Sequence, residues 1–453
     1  MFRTRILAGA AGIVLLCGCS IDLGSSMGLG GSVKPTALAV GDEPFAVKIG
    51  AATLAQGGSA VDAATAMYFA MAVTYPVAAG LGGGGICIVH DPAHNQSEEF
   101  DFLARDASAG GAYAVPGNVR GFAVMQNAYG LIPWQKVVAP AEGYARAGFP
   151  ISRALAARLA EAANVVRLDA GMASEFLDES GNVKSAGSIA TNIDLADTLS
   201  AIRAKGPDAF YSGAVADKIV AYSTAQNGAL TAAELAAYRA GQVTPGVTQI
   251  GSDYVALPAA HTGAGAFAGA LLDNLTRAQS TPAGQADAEA AVIVAVKQTL
   301  SGFHLTSLPK DLGATGFAAA DATGQAIACA VTMNGPFGSG HTALGTGVTL
   351  ARAPSSGDAG LSSAFLTPMI AGPSGDRAAT LVGAGAGGPN GSAAMAYILT
   401  RVARGDEIPT RKELRSTGAA PYDTVNVIVC SSDACAALPD PGANGLGAAA
   451  PGP

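Results

Sequence analysis

The chain has 453 residues, 49% of them hydrophobic and 13% charged, with a formal net charge of −8. That length admits one large domain or roughly two to three ordinary ones, with a sizeable buried core. The acidic balance and the lack of a Lys/Arg run give no basic field for nucleic acid, and an aromatic content of 6% offers no stacking platform for bases.

The opening stretch "MFRTRILAGAAGIVLLCGCS" reads as a targeting segment. Arg3 and Arg5 precede an apolar run from Ile6 to Leu16 that is too short to span a bilayer as a mature helix. Leu16-Cys17-Gly18-Cys19 resembles a bacterial lipobox, which makes Cys19 the lipidated first residue of the mature chain; an ordinary secretory signal is the alternative. A lipobox implies more than one acyl chain on Cys19, enough for stable anchoring in a membrane. Ser20 carries no inner-membrane retention signal, so the expected place is the periplasmic face of the outer membrane. Residues 20–35 read as a flexible tether.

"GGSAVDAATAMYFAMAVTYP" (57–76) is apolar nearly all round and predicts a buried helix with Asp62 in its first turns. "AGLGGGGICIVHD" (79–91) is a glycine run feeding a strand; it lacks the Lys-Ser/Thr that a phosphate loop needs. "VPGNVRGF" (115–122) reads as a turn into a helix. The stretch 130–152 reads as helices broken by Pro133, Pro140 and Pro150. "GPDAFYSG" (206–213) is a polar loop, and Thr231 is the expected N-cap of the helix in "ALTAAELAAYRA". "QAIACAVTMN" (325–334) and "DTVNVIVC" (423–430) are the clearest strands.

Cys87 and Cys329 lie in apolar runs and read as buried core residues. Cys430 and Cys435 bracket a four-residue loop that a disulfide would close in an oxidising compartment; a metal site is the rival, but no histidine lies near. His90, His94, His261, His304 and His341 are scattered without ligand spacing, so no metal and no organic cofactor is expected.

Taken in order, "GGSAVDAA", "AGLGGGG", "VPGNVRGF", "YGLIPWQKVVAPA", "AGFPIS", "GPDAFYSG", "LTAAELAAY", "GQAIACAVTMNGPFGSG", "LSSAFLTPMI" and "GAGAGGPNGS" resemble the gamma-glutamyltranspeptidase family from about Lys34 to Cys435. The resemblance implies an α+β chain with the N-terminal-nucleophile hydrolase fold, an αββα sandwich of two stacked mixed sheets flanked by helices. It divides the chain into a large-subunit-like part, 36–314, and a small-subunit-like part, 315–453, integrated in one domain. It implies a precursor that cuts itself before a threonine. That hydroxyl then attacks the amide of a small gamma-glutamyl or peptide substrate, with the freed α-amine as base. Backbone N–H groups in a glycine turn stabilise the oxyanion, and the acyl group passes to water or an amino acid.

Asp321, Gly324, Thr332, Asn334 and Phe337-Gly338 match the family motif without a gap. Counting back places Ala314 at the nucleophile position, Thr315 at the second, supporting threonine, and Gly316 where a histidine normally follows. Neighbouring strand residues face opposite ways. Thr315 is therefore the nucleophile if a bulge at Gly313 or Gly316 turns it, and a packing residue of an uncut chain if not. Leu103 stands where the family has its carboxylate-binding arginine. Arg105, two places on, replaces it if the strand Phe100-Asp101-Phe102 continues, or else pairs with Asp106. Ala353 and Ser356 stand in for polar and acidic family residues, with Asp358 the candidate for the amine-gripping acid. Ser362 and Ser363 match the carboxylate-binding serines. Pro389-Asn390-Gly391-Ser392 match the oxyanion turn, with Asn390 in place of the first glycine. Thr332 and Asn334 match the groups that orient the nucleophile. Fewer than 40 residues separate Leu275 from Ala314, which implies a more open cleft. Two functions follow: a lipid-anchored periplasmic gamma-glutamyl hydrolase or transferase, or an uncleaved envelope lipoprotein that binds a peptide or protein partner. The oligomeric state is not implied.

Overall fold

The computed structural model describes residues 37–373, 378–406, 422–431 and 434–450. The targeting segment, Cys19 and the tether lie outside them. The strands run β1 (Leu38–Gly41), β2 (Gly84–Asp91), β3 (Gln96–Asp101), β4 (Arg105–Asp106), β5 (Ala114–Val115), β6 (Phe149–Pro150), β7 (Ile189–Ala190), β8 (Gly241–Val243), β9 (Gly246–Ile250) and β10 (Asp253–Leu257). They continue as β11 (Ala314–Ala320), β12 (Ala326–Thr332), β13 (His341–Ala343), β14 (Val348–Leu350), β15 (Thr367–Pro373), β16 (Leu381–Ala386), β17 (Thr424–Cys430), β18 (Cys435–Leu438) and β19 (Leu446–Ala449). A seven-stranded sheet has the order β19-β1-β11-β12-β2-β3-β8, and a six-stranded sheet the order β18-β17-β16-β15-β10-β9.

The period-two alternation of each strand divides its residues between two layers. Val40, Ile88, Ala318, Ala328, Val382 and Ile428 fill the space between the sheets. Phe317, Ala319, Cys329 and Val331 turn the other way, into the core under the helix Ala60–Thr74. On the far side, the helices Gly263–Gln279, Ala288–Gly302 and Pro389–Ala403 pack on the second sheet through Leu271, Val292, Met395 and Val427. The result is the helix, sheet, sheet, helix layering of the N-terminal-nucleophile hydrolase fold. Alanine and glycine keep the middle layer thin: a Cβ at Gly316 would meet the Ala384 carbonyl at 2.7 Å.

The helix Ala60–Thr74 is buried along its whole length and begins with a capping box between Ser59 and Asp62. The Asp62 carboxylate also accepts the amides of Leu131 and Ile132, at 2.7 and 3.2 Å, and so fixes the next layer of helices. There the structure corrects one expectation. Pro140 does not break its helix, which runs unbroken from Trp134 to Ala147. Proline removes one intrahelical bond, but Val137, Val138, Ala141 and Ala145 are buried around it, and their burial holds the helix together.

Cys87 and Cys329 are also not lone core thiols: they form a disulfide between β2 and β12. The amide of Met333 donates to Gly313, so alternate residues back along β12, Cys329 among them, direct their backbone groups at β11. Cys87 and Cys329 therefore oppose each other as a non-hydrogen-bonded pair, the arrangement that brings side chains closest, with Cα atoms 4.1 Å apart. Cys430 and Cys435 form a second disulfide across the β17–β18 hairpin.

Candidate active site

The segment Asp311–Ala314, which leads into β11, is held on every side. Gly313 turns it with φ +63°, and a Cβ there would lie 2.0 Å from the Gly335 backbone, so glycine is required. The Ser362 hydroxyl donates to the Leu312 carbonyl at 2.7 Å. The Thr332 hydroxyl donates to the Gly313 carbonyl at 3.0 Å and accepts the Asn334 amide at 2.9 Å. Asn334, in the left-handed region at φ +59°, donates from its side chain to the Arg352 carbonyl. Thr332, Asn334 and Ser362 are thus gathered round the junction. Ser363 instead donates to Gly360 in its own turn, at 2.9 Å.

Thr315 is fully buried on β11, and its hydroxyl donates to Asp42 Oδ2 at 2.7 Å. The same carboxylate accepts from the Thr424 hydroxyl at 2.9 Å and from Asn426 Nδ2 at 2.8 Å, both on β17 of the other sheet. Burial pushes the Asp42 carboxyl above its ordinary range, while the donors Asn426, Thr315 and Thr424 and the nearby Arg158 charge draw it back. The bulge that sequence allowed is not present. β11 and β12 pair from Ala314↔Thr332 to Ala320↔Ala326 without interruption. A bulge needs an unmatched residue, and every residue here has its partner. Ala314 accordingly packs with Leu366, just ahead of β15, and with Ala384 and Ala386 of β16 in the second sheet.

Arg158 is the buried cation of the site, 3% exposed. It forks onto both oxygens of Asp311, lies 5.5 Å from the Tyr75 ring and 5.4 Å from the Tyr422 ring, and donates to the Ala314 carbonyl at 3.3 Å. Burial opposes its charge, but Asp311 and Tyr75 outweigh that and hold the guanidinium firmly protonated.

The turn containing Asn390 and Gly391 opens the helix Pro389–Ala403. Its Asn390 amide donates to Asp423 Oδ2 at 3.1 Å, and burial raises the Asp423 carboxyl to about 6. Asp423 precedes Thr424, so the turn and the Thr315 hydroxyl are joined through Asp42, Thr424 and one peptide bond.

Two expected substrate groups lie elsewhere. β3 ends at Asp101, and Arg105 belongs to the separate pair β4–β5, so the same-face spacing that would have let it replace Leu103 is lost. Arg105 is exposed with its guanidinium 5.3 Å from the Tyr238 ring, and Asp106 accepts from Ser355 rather than from Arg105. Asp358 forms an ion pair with Arg352 at 3.0 Å, which neutralises it as a grip for a substrate amine.

Asp42, Arg158, Asp311 and Asp423 were not found by motif. A signal for Arg158 was present: it shares one helix stripe with Ala154, Leu155 and Leu159, where a cation is out of place unless paired. Asp42 stands in an ordinary acidic loop sequence and gave none.

A family model described as Gamma-glutamyltranspeptidase matches residues 46–301. Among curated relatives, the "Glutathione hydrolase proenzyme" of Pseudomonas aeruginosa is 33% identical over 244 residues, 50% of this chain and 43% of that protein. The chain thus matches less than half the length of that relative. Cephalosporin acylase from Bacillus halodurans has a similar structure at a TM-score of 0.72, with 18% identity over 96% of this chain and 99% of that one. Helicobacter pylori gamma-glutamyltranspeptidase has a TM-score of 0.54, with 24% identity over 61% of this chain and 84% of that one. Both likenesses bear on the fold.

Proposed function

Since the chain belongs to the gamma-glutamyltranspeptidase family, we propose that it is an amide hydrolase or acyl transferase for gamma-glutamyl compounds such as glutathione, with Thr315 as its nucleophile after self-cleavage of the Ala314–Thr315 bond. The observation that carries this is the Thr315 hydroxyl, fully buried and donating at 2.7 Å to the carboxylate of Asp42. A hydroxyl becomes a useful nucleophile when a base is in contact with it. The start of the helix Pro389–Ala403, with Asn390 and Gly391, would supply N–H groups to the oxyanion of the acyl step, the Asn390 amide exchanging its bond to Asp423 for that oxygen. Ser362, released from Leu312 when the segment before it departs, would be open to a substrate carboxylate. The N-terminal segment supports export and anchoring through Cys19 at the periplasmic face of a membrane.

Purified mature protein, reduced and analysed by denaturing gel and N-terminal sequencing, should give a smaller chain that begins at Thr315. It should release the chromophore from a gamma-glutamyl anilide, and Thr315→Ala should do neither. A reduced wild-type chain that stays intact and leaves the anilide untouched would sink the proposal.

A second reading has an observation in its favour. Ala314, which has no hydroxyl, is the residue that faces the second sheet, and β11 is unbroken around it. On that reading the chain is an uncut envelope lipoprotein that binds a peptide or protein partner. The same gel decides between the two.

A further inference from the structure

We infer that Asp42 and Arg158 are the catalytic pair that cuts the Ala314–Thr315 peptide, Asp42 as base on the threonine hydroxyl and Arg158 as electrophile on the alanine carbonyl. This rests on the reading of Thr315 as the nucleophile, and assigns the cutting step to groups other than the backbone turn at Asn390.

Two hydrogen bonds land on the two ends of one peptide unit. Asp42 Oδ2 lies 2.7 Å from Thr315 Oγ1, and Arg158 Nη1 lies 3.3 Å from the Ala314 oxygen. The sheet leaves that oxygen available. Gly313 accepts from Met333 of the neighbouring chain segment, so the backbone groups of Ala314, one residue on, point to the opposite edge of β11. The strand on that edge is β1, whose pairing ends at Gly41↔Phe317, short of Ala314. Arg158 fills the place a strand partner would have taken.

Both groups are held for this geometry. Arg158 is clamped by Asp311 and flanked by Tyr75 and Tyr422, and Asp311 Oδ1 also accepts the Gly313 amide at 2.8 Å. One carboxylate therefore aims the guanidinium and bends the chain ahead of the bond. Asp42 is fixed from the opposite sheet by Thr424 and Asn426. The rival oxyanion donor is occupied, because the Asn390 amide already serves Asp423.

The step balances with one water. Thr315 Oγ forms a bond to the Ala314 carbonyl carbon and its proton passes to Asp42. The negative charge that develops on the Ala314 oxygen meets Arg158. The carbon–nitrogen bond breaks, and the leaving amine takes the proton from Asp42. Water then hydrolyses the ester, leaving the Ala314 carboxylate and a Thr315 with free hydroxyl and amine.

The test follows the intact mass of freshly refolded full-length protein, after reduction, for wild type, Asp42→Asn and Arg158→Lys, with thermal unfolding to show that each is folded. Each folded variant should be cut at least about 100-fold more slowly than wild type, the range expected for loss of a general base or oxyanion partner. Hydroxylamine should trap the wild-type ester as an Ala314 hydroxamate and trap little in the variants. Asparagine at 42 keeps the shape and an acceptor; should the lysine variant misfold, Asp42→Asn decides alone, and the reverse holds. Wild-type cleavage rates in a folded variant overturn the pair while leaving Thr315 as nucleophile. A wild-type chain that never cuts overturns both.

Discussion

The Asp423 carboxylate accepts the Asn390 backbone amide at 3.1 Å, on the first turn of the helix Pro389–Ala403. An acid is welcome at a helix N-terminus, yet burial outweighs this and raises Asp423 to about 6. Asp440 is raised to about 6 as well, by burial and then by Asp42. A raised acid binds its proton more tightly in the folded state than in the unfolded chain. Its contribution to stability is therefore complete below the unfolded value and disappears as pH rises through 6. Urea unfolding should show a more stable protein at pH 4.5 than at pH 7.5, each acid accounting for about 2 kcal/mol of the difference. Asp423→Asn should remove its share of the difference. A stability that climbs across this window would refute the assignment.

Thr315→Val keeps the shape of the side chain and removes its bond to Asp42. The carboxylate would retain Thr424 and Asn426. Hydrogen bonds to charged groups are worth about 1.5–3 kcal/mol, so urea unfolding should register a loss near 2 kcal/mol. Thr315→Ser should lose less than half of that. A larger loss for the serine variant than for the valine variant would mean that methyl packing, not the hydroxyl, matters there.

Gly313→Ala should be among the most damaging single-methyl changes in the protein. The added carbon would sit 2.0 Å from the Gly335 backbone and would have to adopt φ +63°. A loss of roughly 3 kcal/mol or more is expected from strain and displacement together. A melting temperature unchanged within error would show that the turn can relax.

The two disulfides should differ in weight. Cys87 and Cys329 are separated by 242 residues, Cys430 and Cys435 by 5. Loop-closure entropy gives about 5 kcal/mol for the long bridge and about 2 for the short one. Paired serine variants should therefore lose more from Cys87/Cys329, as measured by denaturant midpoint in uncut protein. The reverse order would place the stabilisation in the local hairpin.

The fold was legible because its motifs come in a fixed order and because β12 and β17 announce themselves as apolar runs. The cross-strand disulfide was not legible. Cys87 and Cys329 each sit in a run that looks like any core strand, and only the register, set by Met333 and Gly313, brings them face to face. Thr332, Asn334 and Ser362 were named by motif and lie round one junction, whereas the Asn390 turn is joined to it only through Asp423, Thr424 and Asp42. Arg105 and Asp358 were named on local spacing, which holds only while a strand continues or a charge stays unpaired. Arg158 and Asp42 come from distant segments, and what defines them is a shared neighbour, the peptide between Ala314 and Thr315.

The strand order has one more effect. β1 belongs to the part of the chain before Thr315, yet it is lodged between β19 and β11, which both come after it. A break at residue 314 would therefore leave two polypeptides laced through each other, with the Cys87–Cys329 bridge stitching one to the other. Without a reductant the severed molecule would migrate, weigh and melt as one body, and its division would pass unnoticed.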